Sequence, residues 1–305
     1  MSELQSFENF IMTCCELDEW DVRPFLKEKL ASVGFTFQED DYKSYRPGRY
    51  QEVHNMLAMR GNSPRVCLVA HTDVCRDHGF RSAHKKATPV IKEVNRFGKE
   101  MRIIQDKDCQ VQVGGDDRLG VAINTWIAIH TGYDLGLLFT TDEEVGAVSA
   151  DYVSFSELGE FDLLAQVDRG NHSNQLVTSI SGVRLCGPDT AKRLIGISEA
   201  IGMPRYIVSG LLTDVLSIKG DNKCKEAVNM TCGYHNSVGS SPNEYIDIAE
   251  ARDTMKFVSS IIQDYDLELI ARDEMENREI TPEEVAADIA ATSAEANSKS
   301  DIVWN

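Results

Sequence analysis

Long hydrophobic runs are missing from this 305-residue sequence. No stretch approaches the roughly 20 consecutive apolar residues that a membrane-spanning helix needs, so no membrane span is predicted. Residues 1–5 also lack the basic start and the apolar core of a signal peptide. We therefore predict that the protein lies in the cytoplasm and has no membrane as a partner.

Basic residues are scarce. The chain has 31 Lys and Arg against 49 Asp and Glu, a net charge of −18. Such a chain repels phosphate backbones, so no nucleic acid partner is predicted. Residues 264–305 alone contain twelve acidic and three basic residues, which is half of the imbalance. We predict one domain over residues 1–265 and an acidic helical appendage over residues 266–305, with a helix near residues 282–292 and an end whose composition is typical of disorder.

Paired cysteine motifs are also missing. The eight cysteines form no Cys-x-x-Cys pair and no pattern typical of a disulfide framework. In a chain without an export signal, buried free thiols are the expected state. Cys75 follows His71 by four residues, and we interpret it as a packed thiol rather than a metal ligand.

Short apolar segments alternate with helical patterns along the chain. Residues 65–70, 135–141 and 163–167 are apolar runs of strand length without polar alternation, which is typical of strands buried on both faces. Helices are predicted over residues 118–131 and 245–264. This alternation predicts an α/β fold, a three-layer αβα domain with a mostly parallel mixed central sheet.

Three local predictions concern single elements. Asp21 is predicted to cap the second of two short helices within residues 5–33, with Pro24 in its first turn. Residues 88–105 are predicted to form a β-hairpin. Residues 144–153, which follow a buried strand, are predicted to be helical.

Histidines and carboxylates cluster directly after the predicted strands. Because the ligand crevice of an open α/β sheet lies at the carboxyl ends of its strands, these residues are expected to meet at one edge. Carboxylates gathered there must be paired or hold a metal, because uncompensated charges repel one another. Four loops carry the residues: His71 and Asp73 after the first strand, Asp116 and Asp117 after a glycine turn, Glu143 and Glu144 after the second strand, and Asp168 after the third.

Each loop also has an ordinary structural interpretation. His71 and Asp73 project from one face of an extended segment, so Asp73 can take the proton of the imidazole nitrogen that does not bind metal. The alternative is a strand-end histidine capped by a neighbouring acid. The alternative for Asp116 and Asp117 is that they cap the helix that follows them, because aspartate is favoured at helix N-termini. The glutamate pair is also typical of a solvated helix start, and Asp168 of a turn.

Taken in order, the four loops resemble the clan of co-catalytic zinc exopeptidases, which includes aminopeptidases, tripeptidase-like enzymes and related deacylases. The resemblance covers roughly residues 50–260 and implies the phosphorylase/hydrolase-like architecture of zinc peptidases. Only 67 residues separate Asp168 from His235, which implies a compact member without a lid domain. The matching segments are VCLVAHTDV (66–74), VGGDDRLGVA (113–122), FTTDEEVGA (139–147) and AQVDRG (165–170).

The resemblance implies two zinc ions and a general base. His71 and Asp168 would bind one ion, Asp116 would bridge both, and Glu144 would bind the second. Glu143 would exchange protons with a metal-activated water.

Two further features follow from the same resemblance. Asp73 would orient His71, and the peptide bond between Asp116 and Asp117 would be cis.

The last zinc ligand departs from the pattern of the clan. A late histidine would be expected near Val238 or Ser240, and neither side chain can ligate as imidazole does. His235 is the nearest candidate. Either the loop is remodelled so that His235 reaches the metal, or the second site is weakened and His235 is a strand-end residue facing solvent.

The implied activity is that of a metal-dependent hydrolase that cleaves amide bonds of small peptides, as an aminopeptidase or a tripeptidase-like exopeptidase. Two alternatives stay open: a deacylase acting on non-peptide amides, and a catalytically impaired homologue that acts as a binding protein. His78 and His84 are interpreted as substrate contacts, and His172 as a residue lining the cleft. The sequence predicts neither the substrate's side chains nor the oligomeric state.

Overall fold

The computed structural model describes most of the chain, and its contacts divide it into two compact units, Met1–Tyr265 and Asp266–Asn305. The predicted helix near residues 282–292 lies outside the described residues, so the acidic appendage stays a prediction. None of the described helices combines the length and the apolar composition needed to cross a lipid bilayer. The described residues are 3–46, 52–78, 86–96, 98–237 and 241–276.

The described elements alternate between helices and strands along the chain. The helices are α1 (Glu3–Glu16), α2 (Glu19–Ala31), α3 (Gly115–His130), α4 (Pro188–Ala200), α5 (Asp214–Gly220) and α6 (Ile248–Glu276), with 3₁₀ helices at Cys75–His78, Val148–Tyr152 and Ser156–Gly159. The strands are β1 (Thr36–Glu39), β2 (Ser44–Tyr45), β3 (Glu52–Val53), β4 (Met56–Arg60), β5 (Val66–His71), β6 (Pro89–Arg96), β7 (Lys99–Asp106), β8 (Leu135–Thr140), β9 (Leu163–Arg169), β10 (Gln175–Ile180), β11 (Val183–Arg184), β12 (Tyr206–Gly210), β13 (Ala227–Thr231), β14 (Tyr234–His235) and β15 (Tyr245–Asp247).

The central sheet has the strand order β1-β4-β8-β5-β9-β13-β10-β11, and β12 pairs with β10. Its four middle strands, β8, β5, β9 and β13, run parallel to one another. Strands β1 and β4 on one side and β10 and β11 on the other add antiparallel pairs. The predicted mixed α/β sheet with a parallel centre is therefore confirmed.

Both faces of this sheet are covered, as the lack of polar alternation predicts. Leu68 and Ala70 of β5 belong to a core that includes side chains of α1, α2 and α3. Cys67 and Val69 of the same strand belong to a second core on the other face, with side chains of α5 and of the 3₁₀ helix Ser156–Gly159. Water is excluded on both sides, which makes β5 a rigid support for the residues that follow it. The three-layer arrangement is confirmed.

The hairpin prediction is confirmed, whereas two other local predictions are wrong. Strands β6 and β7 pair antiparallel in a separate sheet of order β14-β15-β7-β6. Asp18, not Asp21, caps α2: its side chain accepts a hydrogen bond from the backbone N–H of Asp21, and Pro24 therefore lies beyond the first turn. Residues 144–153 form no α-helix, because Gly146 and Ala147 adopt left-handed φ angles of 111° and 55°.

Candidate metal centre

His71 is the last residue of β5, where it is fully buried opposite Thr140 of the parallel strand β8. Its Nε2 atom lies 3.2 Å from Oδ1 of Asp116 and 3.5 Å from Oδ1 of Asp168. Oε2 of Glu143 is 3.9 Å from the same nitrogen. The ends of β5, β8 and β9 and the start of α3 thus bring these four side chains to one edge of the sheet.

The donor set at this edge fits a divalent metal ion. One ligand atom each from His71, Asp116 and Asp168 lies within 4.8 Å of the other two. An imidazole nitrogen and carboxylate oxygens are ligands that Zn²⁺ takes, and three protein ligands are typical of catalytic sites with one open position. The residues present are therefore compatible with the zinc that the resemblance implies.

Asp73 connects two of the strand ends. The Nδ1 atom of His71 lies 3.0 Å from the backbone oxygen of Asp73 and 3.4 Å from its Oδ1 atom. The same carboxylate accepts the backbone N–H groups of Glu143 and Glu144, both at 3.2 Å. Its Oδ2 atom is also 2.7 Å from Nε2 of His78. Asp73 therefore fixes the turn that carries the glutamate pair as well as the imidazole.

The charges around His71 determine its protonation. Burial alone lowers the pKa of this histidine, but the carboxylates of Asp168, Asp116 and Asp73 outweigh burial and raise the pKa well above its usual value. Burial raises the pKa of Asp73, but its contacts with His71 and His78 lower the pKa by more. The net pKa of Asp73 therefore lies well below its usual value. In the metal-free protein, the imidazolium partly compensates the carboxylate cluster.

The pKa values of Glu143 and Glu144 are raised, in contrast to that of Asp73. Burial, assisted by the negative charges of Asp168, Asp214 and Asp116, raises the pKa of Glu143 to about 10 although His71 opposes the shift. Burial and the charge of Asp116 raise the pKa of Glu144 to about 8. Burial and neighbouring carboxylates thus disfavour negative charge on both glutamates, and a bound cation would compensate it.

Asp116 is presented by the glycine turn before α3. Gly114 adopts a left-handed φ of 90°, and the buried carboxylate of Glu244 accepts the backbone N–H groups of Gly114, Gly115 and Asp116 at 2.6, 3.0 and 3.2 Å. The peptide bond between Asp116 and Asp117 is cis, as the resemblance implies. Glu244 thus supports the turn that presents Asp116, a role that no sequence motif predicted.

Asp117 faces the interior instead of the cleft. Its carboxylate accepts the backbone N–H of His71 at 3.3 Å and that of Gly120 at 3.1 Å. The side chain is fully buried, and burial raises its pKa well above the usual value. Asp117 therefore ties the start of α3 to the end of β5, which is a structural role beside the ligand role predicted for Asp116.

A second layer of polar groups supports Asp168. The hydroxyl of Tyr234 lies 3.2 Å from the backbone oxygen and 3.3 Å from Oδ1 of Asp168. Gln166 Nε2 donates to Oδ2 of Asp168 at 3.0 Å and to Oδ2 of Asp214 at 3.1 Å. Thr140 also donates to Asp214, whose pKa is raised to about 7 by burial. Asp214 opens the short helix α5 and lies outside the four matching sequence segments, so no motif marked it.

Cys75 contacts Glu144 through two atoms. Its backbone N–H donates to Oε1 of Glu144 at 3.0 Å, and its thiol donates to Oε2 at 2.8 Å. The cysteine is half-buried at the start of the 3₁₀ helix Cys75–His78. The interpretation of Cys75 as a merely packed thiol misses this polar contact.

His235 has other partners than the predicted metal. Its Nε2 atom is 3.0 Å from Oε2 of Glu250, and its ring stacks on Tyr245 with centroids 5.0 Å apart. His235 belongs to neither of the two metal-like groups found among the described residues. Val238 and Ser240 lie outside the described residues, so the role of His235 as a ligand stays a prediction.

The second metal-like group consists of Asp73, His78 and Asp142. The carboxylate of Asp142 in this group already has protein partners. Arg46 forms an ion pair with it, and the hydroxyl of Tyr42 donates a hydrogen bond to it. The predicted substrate contact His78 therefore lies in an internal network, and His84 lies outside the described residues.

An open cleft of about 220 Å³ leads to the cluster. His172 lines it as predicted, and the apolar part of the wall includes Leu211, which is 80% exposed. The lining residues are Asp116, Glu143, Asp168, Arg169, Gly170, Asn171, His172, Val177, Gly210, Leu211, Leu212, Asn229 and Tyr234.

Comparisons with known proteins establish the fold. No protein-family model matches the chain, and no curated protein matches it. Among solved structures, the chain is similar to aminopeptidase PepT from Bacillus cereus, with 14% identity and a TM-score of 0.64 over 85% of this chain and 98% of that chain. A tripeptidase from Staphylococcus aureus matches with 14% identity and a TM-score of 0.66 over the same shares of the two chains. An aminopeptidase from the archaeon Desulfurococcus kamchatkensis matches with 14% identity and a TM-score of 0.58 over 85% of this chain and 95% of that chain. The resemblance to the zinc exopeptidase clan is thereby confirmed at the level of the fold.

Proposed function

We propose that this protein is a zinc-dependent exopeptidase that cleaves small peptides as an aminopeptidase or a tripeptidase-like enzyme. The observation that carries the proposal is that Asp116, Asp168 and Glu143 line one open cleft. All three carboxylates surround the buried imidazole of His71. The peptidase fold of the structural neighbours supports it. All four residues lie in the unit Met1–Tyr265, which we propose as the catalytic domain.

Two divalent metal ions are proposed as cofactors. His71, Asp116 and Asp168 would hold the first, and Asp116 and Glu144 would contribute to the second. When bound, such ions polarise an amide carbonyl and lower the pKa of a water molecule. Burial and the neighbouring carboxylates both raise the pKa of Glu143 and Glu144, and bound cations would compensate the negative charge that these surroundings disfavour.

Glu143 is the proposed proton carrier. Its carboxyl lies at the cleft, 3.9 Å from the imidazole of His71, and is buried enough that its pKa is raised. Bound cations would favour the ionised form of Glu143, and the carboxylate would then accept a proton from the attacking water and return it to the departing amine. The acidic floor also favours substrates with a free, positively charged amino terminus.

The substitution Glu143→Gln tests the proposal. The amide keeps the shape of the side chain but cannot take up a proton, so we expect kcat to fall on the order of 10²–10⁴-fold with the metal content unchanged. Peptide mixtures with free and with blocked amino termini, analysed by mass spectrometry after digestion, give the activity and the substrate class. Glu157→Gln is the control, because Glu157 accepts hydrogen bonds from Gln38 and Ser156 at the surface and is not in the cleft.

Three outcomes would contradict the proposal. Full activity of Glu143→Gln would exclude the proton-carrier role. Cleavage of non-peptide amides alone would favour a deacylase. Failure of the purified protein to bind supplied zinc would favour a binding protein without metal catalysis.

A further inference from the structure

We propose that Arg169 binds a carboxylate of the substrate and thereby selects short peptides that carry a free acid group. This inference rests on the proposed function, because it concerns the substrate of the same cleft. Two groups of a peptide supply this chemistry, its carboxyl terminus and an acidic side chain.

A shift in strand register directs Arg169 into the cleft. Asn229 of β13 pairs with Gln166 of β9. Two residues further along β13, Thr231 pairs with Arg169, which is three residues further along β9. A bulge of this kind adds one residue to a strand and redirects the side chains beside it. Asp168 and Arg169 therefore line the same cleft, although neighbours on a regular strand point to opposite faces.

The guanidinium of Arg169 is held in place but is not neutralised. Its Nε–H donates to Oε1 of Gln175, a buried residue at the start of β10. Gln175 is itself fixed, because its Nε2 donates to the hydroxyl of Tyr206 at 3.4 Å and its backbone N–H to Oγ1 of Thr231 at 3.0 Å. The two terminal nitrogens of Arg169 have no partner among the residues that the structure describes.

These two terminal nitrogens suit a carboxylate. Parallel N–H groups of a guanidinium match the two oxygens of a carboxylate in a bidentate pair, which is stronger and more directional than a hydrogen bond between neutral groups. Three carboxylates line the cleft together with Arg169, but it forms no ion pair with any of them. The charge of Arg169 is thus available to a ligand.

The cleft offers both signs of charge within a small volume. Its carboxylates suit the amino terminus of a peptide, whereas Arg169 is the only lysine or arginine among the described residues that line it. The volume of about 220 Å³ is below the roughly 300–1,000 Å³ of sites that hold drug-sized ligands. A short peptide with an acid group therefore matches the cleft in size and in both charges.

Steady-state kinetics of the zinc-loaded full chain test the proposal with matched peptides. These are a neutral tripeptide, the same tripeptide with an amidated carboxyl terminus, and amidated tripeptides with glutamate at the second or third position. We expect kcat/KM to be about 10–100-fold higher for a peptide with a suitably placed acid group than for the amidated neutral peptide, because the latter lacks the charge-assisted pair. The difference should lie mainly in KM, since the contact is already made in the bound substrate.

Variants of Arg169 separate charge from geometry. Arg169→Gln removes the charge, so the preference for the acid group should disappear while the zinc content stays the same. Arg169→Lys keeps the charge but not the bidentate geometry, so part of the preference should remain. Arg184→Gln is the matched control, because Arg184 is an exposed arginine on β11 outside the cleft, and the preference should remain in full.

The same peptides identify the source of the acid group. A preference for the tripeptide with a free carboxyl terminus assigns Arg169 to that terminus, and a preference for an amidated glutamate peptide assigns it to an acidic side chain. Equal kcat/KM for all peptides in the unsubstituted protein, or a preference that persists in Arg169→Gln, would overturn the proposal.

Calorimetric titration separates this proposal from the proposed function. Glu143→Gln protein supplied with zinc is titrated with the same peptides, alone and combined with Arg169→Gln. Tighter binding of the acid-bearing peptide that is lost in the double variant supports the carboxylate site, even if the unsubstituted protein cleaves no peptide and the proposed function falls. Equal affinities, or no binding, would overturn the carboxylate site, whereas cleavage by the unsubstituted protein would leave the proposed function standing.

Discussion

Asp73 illustrates how one side chain at the site serves several neighbours. The His-x-Asp spacing predicts that it orients His71, and in the structure the imidazole contacts both the backbone and the side chain of Asp73. Its hydrogen bonds to the backbone of Glu143 and Glu144 were not predictable, because they depend on how the turn after β8 is folded. The contact with His78 depends likewise on a 3₁₀ helix that no sequence pattern indicated.

His78 is therefore expected to act as a positioning residue through Asp73. His78→Ala removes the group 2.7 Å from that carboxylate, so the orientation of His71 and Glu143 becomes less fixed. We expect kcat to fall roughly 10–100-fold with little change in KM, as for other outer-shell partners of metal ligands. Steady-state kinetics on a peptide substrate measure both constants.

The conservative variant separates donation from mere filling of space. His78→Gln retains an N–H donor and should recover part of kcat. His54→Ala is the control, because His54 contacts the backbone of Asp40 instead of the site. If the glutamine variant is as slow as the alanine variant, hydrogen bonding to Asp73 is not the reason for the loss.

At the scale of elements, the buried parallel strands were predictable and several connections were not. The apolar runs at β5, β8 and β9 require burial on both faces, which leaves few alternatives to a central sheet. The segment after β8 turned out differently because two successive residues, Gly146 and Ala147, have left-handed backbones that only the folded turn imposes. Strand β10 and helix α5 escaped prediction because their segments are short and lack clear periodicity.

The junction of β9 and β14 depends on close approach of a glycine to an aromatic ring. A Cβ atom at Gly170 would lie 1.9 Å from Cε2 of Tyr234, the residue whose hydroxyl bonds Asp168. Gly170→Ala should displace Tyr234, lower the free energy of unfolding by about 1–3 kcal/mol and weaken metal binding at Asp168. Calorimetric unfolding and zinc titration measure the two effects.

The matched control is a glycine with free space around it. A Cβ atom at Gly196 in α4 meets nothing within 4 Å, and the residue is exposed. Gly196→Ala should raise the free energy of unfolding by about 0.5–1 kcal/mol, because alanine favours helix. Equal effects of the two substitutions would contradict the steric argument at Gly170.

At the scale of the whole molecule, the net charge of −18 combines two features with different consequences. About half belongs to residues 264–305, whose role the sequence predicts only as an acidic appendage. A smaller part is the cluster of buried acids at the sheet edge. Composition reveals the total, but only the fold shows which carboxylates are buried together.

This buried cluster determines how stability changes with pH in the metal-free protein. Burial raises the pKa of each acid above its value in the unfolded chain, so between about pH 5 and 8 the unfolded state binds fewer protons and stability falls as pH rises. The raised pKa of His71 acts in the same direction, since its stabilising charge is lost as pH rises. The acids are Glu143, Glu144, Asp168, Asp214 and Glu244, with pKa values of about 10, 8, 6, 7 and 7.

We therefore expect the chelated protein to unfold at a lower temperature at pH 8 than at pH 6 in calorimetry. Zinc should reduce or reverse the difference, because it binds deprotonated ligands. Asp214→Asn provides the internal check, because it keeps an oxygen that accepts the hydrogen bond of Thr140 and removes a buried charge. The free energy of unfolding of this variant at pH 8 should exceed that of the unsubstituted protein by roughly 1–3 kcal/mol. Chelated protein that becomes more stable from pH 6 to pH 8 would contradict this account.

The hydrogen bonds from the glycine turn to Glu244 also bear on synthesis of the chain. The carboxylate that receives Gly114, Gly115 and Asp116 is 128 to 130 residues further along the sequence. While a ribosome is still translating the intervening segment, those three N–H groups lack this acceptor, and a long-range contact of this kind forms late. The turn that presents Asp116, the proposed bridging ligand, is thus completed only when most of the chain has emerged.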